Sequence, residues 1–318
     1  MTKNDAVAVV GCGLIGRAWA IAFARAGYDV RLYDPVRETA EAAVVFAKSV
    51  LPDLEASDLL NGRRGEDVLA RLRVVPTAAD ALDGAFYVQE NATEDVEVKR
   101  KLFAELDAAA GPQTILASST SAILPSKFTE QVKGRHRCIV VHPINPPYLV
   151  PAVEIVPAPW TTPDVVERTR EFVVGVGQAP IVMKREIDGF VMNRLQGALL
   201  QEAFRLVAEG YATAEDVDIG IRDGLGLRWS FMGPYETIDL NAPGGVRDYV
   251  ARYEGLYRNL WQTQQHIVSW SGPTIDRVEA ARAQKLPRDR LAERSRWRDR
   301  RLMALVAHKK RAATDIGQ

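Results

Sequence analysis

An α/β fold, a doubly wound and mostly parallel sheet followed by an all-helical C-terminal domain, is predicted by three features of this sequence. Gly11-Cys12-Gly13-Leu14-Ile15-Gly16 stands between a β-branched run and a helical pattern. Strand-like and helical stretches then alternate to about residue 188, which implies right-handed crossovers between parallel strands. Beyond that point only helical periods remain. The boundaries that follow are a Rossmann-like domain over residues 1–188 and a helical domain over residues 189–318.

The elements follow in order. Residues 6–10 form a buried strand by composition, 18–26 a helix ended by Gly27, and 29–33 a second strand. Residues 56–71 read as an early helical segment. Further strands are expected at 73–75, 86–89, 114–117 and 138–141. A helix over 95–110 places Leu102, Phe103 and Leu106 on one face, and a helix at 165–176 with a strand at 181–184 completes the sheet. After Asp188 the periods run 190–209, stopped by Gly210, then 214–222 behind a Thr213 cap, 247–270, 274–284 and 288–310, broken at Gly272-Pro273 and Pro287.

Composition excludes several classes. Lys plus Arg number 41 and Asp plus Glu 41, so net charge gives no global pull toward nucleic acid or an anionic membrane. The chain is 47% hydrophobic, enough to fill real cores, yet no apolar run reaches the ~18 residues of a membrane span. Residues 285–311 are arginine-rich but interleaved with Asp289, Glu293 and Asp299, which reads as a solvated amphipathic helix rather than a nucleic-acid arm. Cys12 and Cys138 could pair in principle. They are too few for a zinc cluster, the polar start does not read as a signal peptide, and a reduced, cytoplasmic setting is expected.

The glycine motif points to a dinucleotide. Its first glycine permits a tight turn, its second lets a pyrophosphate approach the backbone, and its third lets helix and strand pack closely. The helix amino end, with Leu14 and Ile15, offers free N–H groups and a positive dipole to the phosphates. Asp34, eighteen residues past Gly16, can accept both ribose hydroxyls and would repel a 2′-phosphate, which favours NAD over NADP. Arg37 is the one nearby residue that would suit NADP, and FAD is the alternative dinucleotide.

Four segments carry polar residues that a plain core would not need: 117–121, 141–147, 153–156 and 189–194. His142, at a strand end before a proline-rich turn, can act as general base near neutral pH. Glu154 is alone in an apolar run, where a carboxylate needs a partner, and an imidazolium would supply it. Ser121 and Asn193 could hydrogen-bond the same substrate oxygen. Arg228, read as lying in a loop before Gly233-Pro234, offers a fork for a substrate carboxylate.

These residues resemble one family. Residues 11–16, Ser118 to Ser121, His142 with Asn145, Glu154, and Gly189-Phe190 with Asn193-Arg194 look like the L-3-hydroxyacyl-CoA dehydrogenase superfamily. Gln89-Glu90, Ser119-Thr120-Ser121, Gly224 to Trp229, Gly233-Pro234 and Trp297-Arg298-Asp299 extend the likeness to its lambda-crystallin/L-gulonate 3-dehydrogenase branch. The resemblance implies His142 as base with Glu154 as its partner, and Ser121, Asn193 and Asn145 around the substrate. It implies that Glu94 and Lys99 touch NAD, although by their place in the sequence they could be a dipole-matched acid and a surface lysine. Ser119 departs from the asparagine of acyl-CoA members.

The function expected is NAD-dependent oxidation of the 3-hydroxyl of a small L-3-hydroxy acid, a sugar acid like L-gulonate or an acid like 3-hydroxybutyrate. The alternatives are a short-chain L-3-hydroxyacyl-CoA dehydrogenase, which needs a basic docking surface near Arg63 and Arg64, and a non-catalytic crystallin-like NAD-binding protein. Tyr249, Tyr253, Tyr257, Trp261 and Trp270 suggest a homodimer through the helical domain.

Overall fold

The computed structural model describes residues 6–317. Its strands are β1 Ala6–Val10, β2 Asp29–Tyr33, β3 Leu72–Val74, β4 Ala85–Glu90, β5 Ile115–Ser118, β6 Cys138–Pro143, β7 Ala152–Pro157 and β8 Ala179–Val182. They form one sheet in the order β3-β2-β1-β4-β5-β6-β7-β8. Every pairing is parallel except β6 with β7, which is antiparallel. Among the strands run α1 Leu14–Ala26, α2 Arg37–Ala56, α3 Gly65–Leu69, α4 Ala78–Leu82, α5 Val96–Ala109, α6 Pro125–Thr129 and α7 Pro163–Gly175.

Both faces of the sheet are covered, as parallel strands require. Side chains alternate along each strand, so Val7 and Val9 enter one core while Ala8 and Val10 enter the other. Ile139 and Val141 of β6 likewise face the first core, and Cys138 and Val140 the second. The first core is aromatic, with the Phe172 ring of α7 lying 4.3 Å from Tyr87 and 5.5 Å from Phe23. The second gathers Phe103, Leu106 and Phe128 from α5 and α6.

The remaining helices are α8 Met192–Ala208, α9 Ala214–Ile219, α10 Gly226–Trp229, α11 Pro234–Leu240, α12 Gly245–Thr263, α13 Pro273–Lys285 and α14 Leu291–Asp315, with a π-helical turn at Gly220–Leu225. Thr213 caps α9 in a reciprocal capping box with Asp216.

Two compact units emerge, and the division differs from the expected one. One unit runs to Asn193 and also takes in the chain from Arg298 onward; the other is Arg194–Trp297. The tail read as part of the helical domain therefore belongs with the sheet. Met303 and Ala307 of α14 enter the first core, Arg300 pairs with Asp53 at 2.8 Å, and Lys310 pairs with Asp58 at 2.6 Å. Helical periodicity identifies a buried stripe but not the surface it meets.

Other differences have local causes. Residues 56–71 are not one helix: α2, which periodicity did not single out, ends at Ala56, and only Gly65–Leu69 is helical. Asp58 and Asn61 adopt positive φ of 55° and 54°, which breaks any helix there. The long helix begins at Met192 rather than 190, because Gly189 and Phe190 stand at φ 77° and 50°. Arg228 is not in a loop but on α10. It follows the π-helical turn, which closes through the Gly226 N–H to Ile221 O; a Cβ on Gly226 would meet that oxygen at 2.7 Å. The strand β7 was not foreseen, since a short apolar run does not announce an antiparallel partner.

Close packing of β1 on α1 makes one glycine obligatory. A Cβ on Gly16 would lie 1.9 Å from Gly11 O, whereas one on Gly13 meets nothing within 4 Å. Gly16→Ala should therefore cost about 1–3 kcal/mol in urea unfolding through forced backbone shifts. Gly13→Ala should stay within about 0.5 kcal/mol of the parent.

Candidate active site

The nucleotide loop is built as its glycines require. Gly11 takes φ 86° and its N–H donates to Tyr33 O at 2.8 Å. Gly13 is the N-cap of α1; among the described residues no side chain caps the first-turn N–H groups, and that turn holds no acid. Those donors remain available for an anion. Asp34 lies one residue past β2; its Oδ2 accepts the Cys12 N–H at 2.8 Å and its Oδ1 the Val36 N–H at 3.0 Å. This brings the expected ribose acid against the glycine loop. Arg37 pairs with Glu41 at 2.8 Å. Leu14 is exposed at the loop, whereas Ile15 packs on the first core. Both cysteines are free, so the pairing left open by the sequence does not form. Burial first, and Asp34 second, push the Cys12 thiol up to about 12, which leaves it protonated.

The antiparallel β6–β7 pairing sets His142 directly opposite Glu154. Their side chains meet, His142 Nδ1 to Glu154 Oε2 at 2.7 Å, with the histidine nearly buried and the glutamate wholly so. Glu154 Oε1 accepts the N–H groups of Val191 at 2.6 Å and Met192 at 2.9 Å. Burial alone would raise this carboxyl. The His142 contact and the two backbone donors outweigh it and hold the carboxyl below its usual range. An ionised Glu154 fixes the proton on Nδ1 and leaves Nε2 as the imidazole's free base.

Asn193 and Ser121 are brought together, because Asn193 Nδ2 donates to Ser121 O at 2.6 Å. The Ser121 main chain is held in turn by Glu94, whose Oε1 accepts the Thr120 hydroxyl at 2.6 Å and the N–H groups of Ser121 and Ala122 at 2.9 and 3.0 Å. Asn145 Oδ1 is buried and, among the described residues, has no hydrogen-bond partner. Lys99 is not a surface lysine: it is buried, and its ammonium donates to both carboxylate oxygens of Glu90 at 2.9 and 3.0 Å. Arg228 lies in the other compact unit and is exposed.

Sequence reasoning missed Glu90 as a structural acid, though Gln89-Glu90 had marked the family likeness. It also missed the Val191 and Met192 N–H groups, which no side-chain pattern could reveal.

The NAD-binding domain model of 3-hydroxyacyl-CoA dehydrogenases matches residues 6–187, and the C-terminal domain model of the same enzymes matches residues 189–269. The chain belongs to the 3-hydroxyacyl-CoA dehydrogenase family. It is 46% identical to a lambda-crystallin homolog of Bos taurus over 94% of each chain. It is 34% identical to an L-carnitine dehydrogenase of Pseudomonas putida, over 96% of this chain and 94% of that one. A solved 5-formyl-3-hydroxy-2-methylpyridine 4-carboxylic acid 5-dehydrogenase, an NAD+-dependent dismutase, superposes with TM-score 0.81 at 26% identity over 98% of each chain. A 3-hydroxybutyryl-CoA dehydrogenase of Escherichia coli gives TM-score 0.65 at 32% identity, over 81% of this chain and 53% of that one.

As a member of the 3-hydroxyacyl-CoA dehydrogenase family, the protein is an NAD-dependent oxidoreductase acting on CH–OH groups. The residues present fit NAD: the space beside Gly13 is open, the α1 amides are uncapped, and Asp34 stands beside them.

Glu154→Gln should lower kcat by about 100-fold, since a neutral amide no longer stabilises an imidazolium. The folded carboxyl lies below its unfolded value of ~4.3, so its stabilising contribution is complete above that value and is lost as pH falls through the folded one. The difference in urea midpoint between parent and Glu154→Gln should therefore hold above about pH 4.3 and shrink as the pH falls below it.

Proposed function

We propose that the protein oxidises the 3-hydroxyl of a small, free L-3-hydroxy acid to the 3-keto acid, with a sugar acid like L-gulonate or an acid like 3-hydroxybutyrate as substrate. One observation carries the reading: the 2.7 Å contact of His142 with a buried, ionised Glu154. In this reading the His142 Nε2 takes the hydroxyl proton as the C3–H bond breaks, and Glu154 supports the resulting imidazolium. NAD supplies the hydride acceptor. The second amide hydrogen of Asn193 and the Ser121 hydroxyl hold the substrate oxygen. Residues 11–16, Asp34 and Glu94 hold the cofactor, and Asn145, with its unpartnered oxygen, borders the substrate.

Two facts support a free acid over a thioester. The cations of the basic surface that coenzyme A would need are engaged within the chain: Arg63 donates to Ala26 O at 3.4 Å, and Arg64 pairs with Glu66 at 3.0 Å. The relative named for L-carnitine also takes its name from a free 3-hydroxy acid. Arg228 is assigned to the substrate carboxylate.

A homodimer through the helical unit belongs to the same proposal. No residue of α12 is buried, and Tyr253, Leu256, Tyr257, Leu260 and Trp261 leave an apolar face exposed along it.

His142→Ala should abolish turnover while NAD affinity by titration stays within about twofold; retained turnover would sink the assignment. With NAD, a substrate panel should show activity on L-gulonate or 3-hydroxybutyrate and none on acetoacetyl-CoA with NADH. Arg228→Ala should raise KM for the acid at least about tenfold with kcat little changed, the loss of a charged hydrogen-bonding fork. Sedimentation at micromolar concentration should give twice the chain mass, and a monomer would refute the dimer.

A further inference from the structure

The strand β4 lies inside the sheet, between β1 and β5, where a strand covered on both faces is ordinarily built of apolar residues. Gln89 is an exception, and it is wholly buried. Its Oε1 accepts the Tyr87 hydroxyl at 2.7 Å. Its Nε2 donates to Ser119 Oγ at 2.7 Å and to Val141 O at 3.2 Å. The direction of the amide is fixed, because a carbonyl such as Val141 O only accepts and so must face the nitrogen. No step of the proposed reaction uses this side chain.

Its two acceptors belong to segments that carry the proposed chemistry. Pairing of β5 with β6 ends at Ser118 and Val140, so the next carbonyl of β6, that of Val141, lies past the ladder. Gln89 reaches it from the strand beyond β5. The Val141 carbonyl and the His142 N–H share one rigid peptide plane, so a bond to the first sets the attitude of the backbone that carries the imidazole. Ser119, the second acceptor, opens the stretch that leads to Ser121, and its hydroxyl also accepts the Trp19 indole N–H at 3.1 Å. An apolar side chain would fill the same space without desolvating a polar group. What only an amide supplies here is two N–H donors aimed at two fixed acceptors.

We infer that Gln89 is a positioning residue for the proposed base: its amide joins the Val141–His142 peptide to Ser119 and holds the imidazole at a fixed distance from the stretch of residues 119–121. The inference rests on the reading of His142 as the base. It gives that base a second support beside Glu154. Glu154 sets the tautomer and the charge balance of the ring, whereas Gln89 sets where the backbone beneath it stands. Tyr87 belongs to the same arrangement, because its hydroxyl holds the amide oxygen and so keeps the amide turned.

The test is Gln89→Met, which keeps an unbranched side chain of similar length and donates nothing. With NAD, kcat and KM are measured for L-gulonate and L-3-hydroxybutyrate, and NAD affinity by titration. The ring nitrogens of the histidines are followed in a nitrogen-15 spectrum, with those of His142 assigned from His142→Ala. The expected result is kcat lowered at least about tenfold, with KM and NAD affinity within about twofold. The His142 ring signals should move while those of His136, His266 and His308 stay in place. A retained kcat would overturn the inference. A lowered kcat with unmoved His142 signals would overturn it equally, since the loss would then not pass through the base. If the parent oxidises neither acid, the proposed reaction fails, and the His142 signals alone then uphold or overturn the placement. If Gln89→Met does not fold, Tyr87→Phe decides: it removes only the hydroxyl that holds the amide, and should give the same split at about threefold, no change being the overturning result.

Discussion

The candidate site depends on a single cross-strand contact, the imidazole of His142 against the carboxylate of Glu154. Either residue alone would be an expense: a buried carboxylate without a partner is strongly disfavoured, and a histidine without an anion has no fixed tautomer. Together they make a base with a defined free nitrogen. The contact also ties down chain that follows, because the second carboxylate oxygen holds the N–H groups of Val191 and Met192 where α8 begins. Asn193 is the next residue. One carboxylate thus orients the proposed base and the start of the helix that carries a proposed substrate ligand.

That contact exists because one strand runs against the others. In a sheet otherwise parallel, β7 returns alongside β6, and its register places residue 154 across from residue 142. Cross-strand neighbours in an antiparallel pair have Cβ atoms about 4.5–5.5 Å apart, close enough for a histidine and a glutamate to meet. A one-residue slip would turn Glu154 to the other face. The apolar neighbours Val153, Ile155 and Val156, all buried, hold the register.

The nucleotide loop and the loop of residues 118–122 meet a different constraint, which is satisfaction of polar groups at the carboxyl ends of the parallel strands. Asn91 Nδ2 donates toward the carbonyls of Gly11 and Gln89 at 3.3 and 2.9 Å, while Glu90 and Glu94 gather the donors of the neighbouring loop. Nearly every polar atom there has a partner, which is how irregular backbone is tolerated against a core. Such a network keeps both loops in fixed positions beside the space a nucleotide would take.

The sequence by itself determined the class of fold, the positions of β1, α1 and β2, the glycine loop with Asp34, and the identity of the His142–Glu154 pair, because these rest on local chemistry: β-branched runs, glycines that permit close approach, and a lone acid among apolar residues. Tertiary structure alone decided the direction of β7, the burial of Lys99 with Glu90, the π-helical turn before Arg228 and the return of α14 to the sheet. Each of these is a choice of partner made across the fold between segments distant in the chain, where the same residues would read identically for another neighbour. A lysine at the start of an amphipathic helix looks solvated until the acid nine residues earlier is found beneath it.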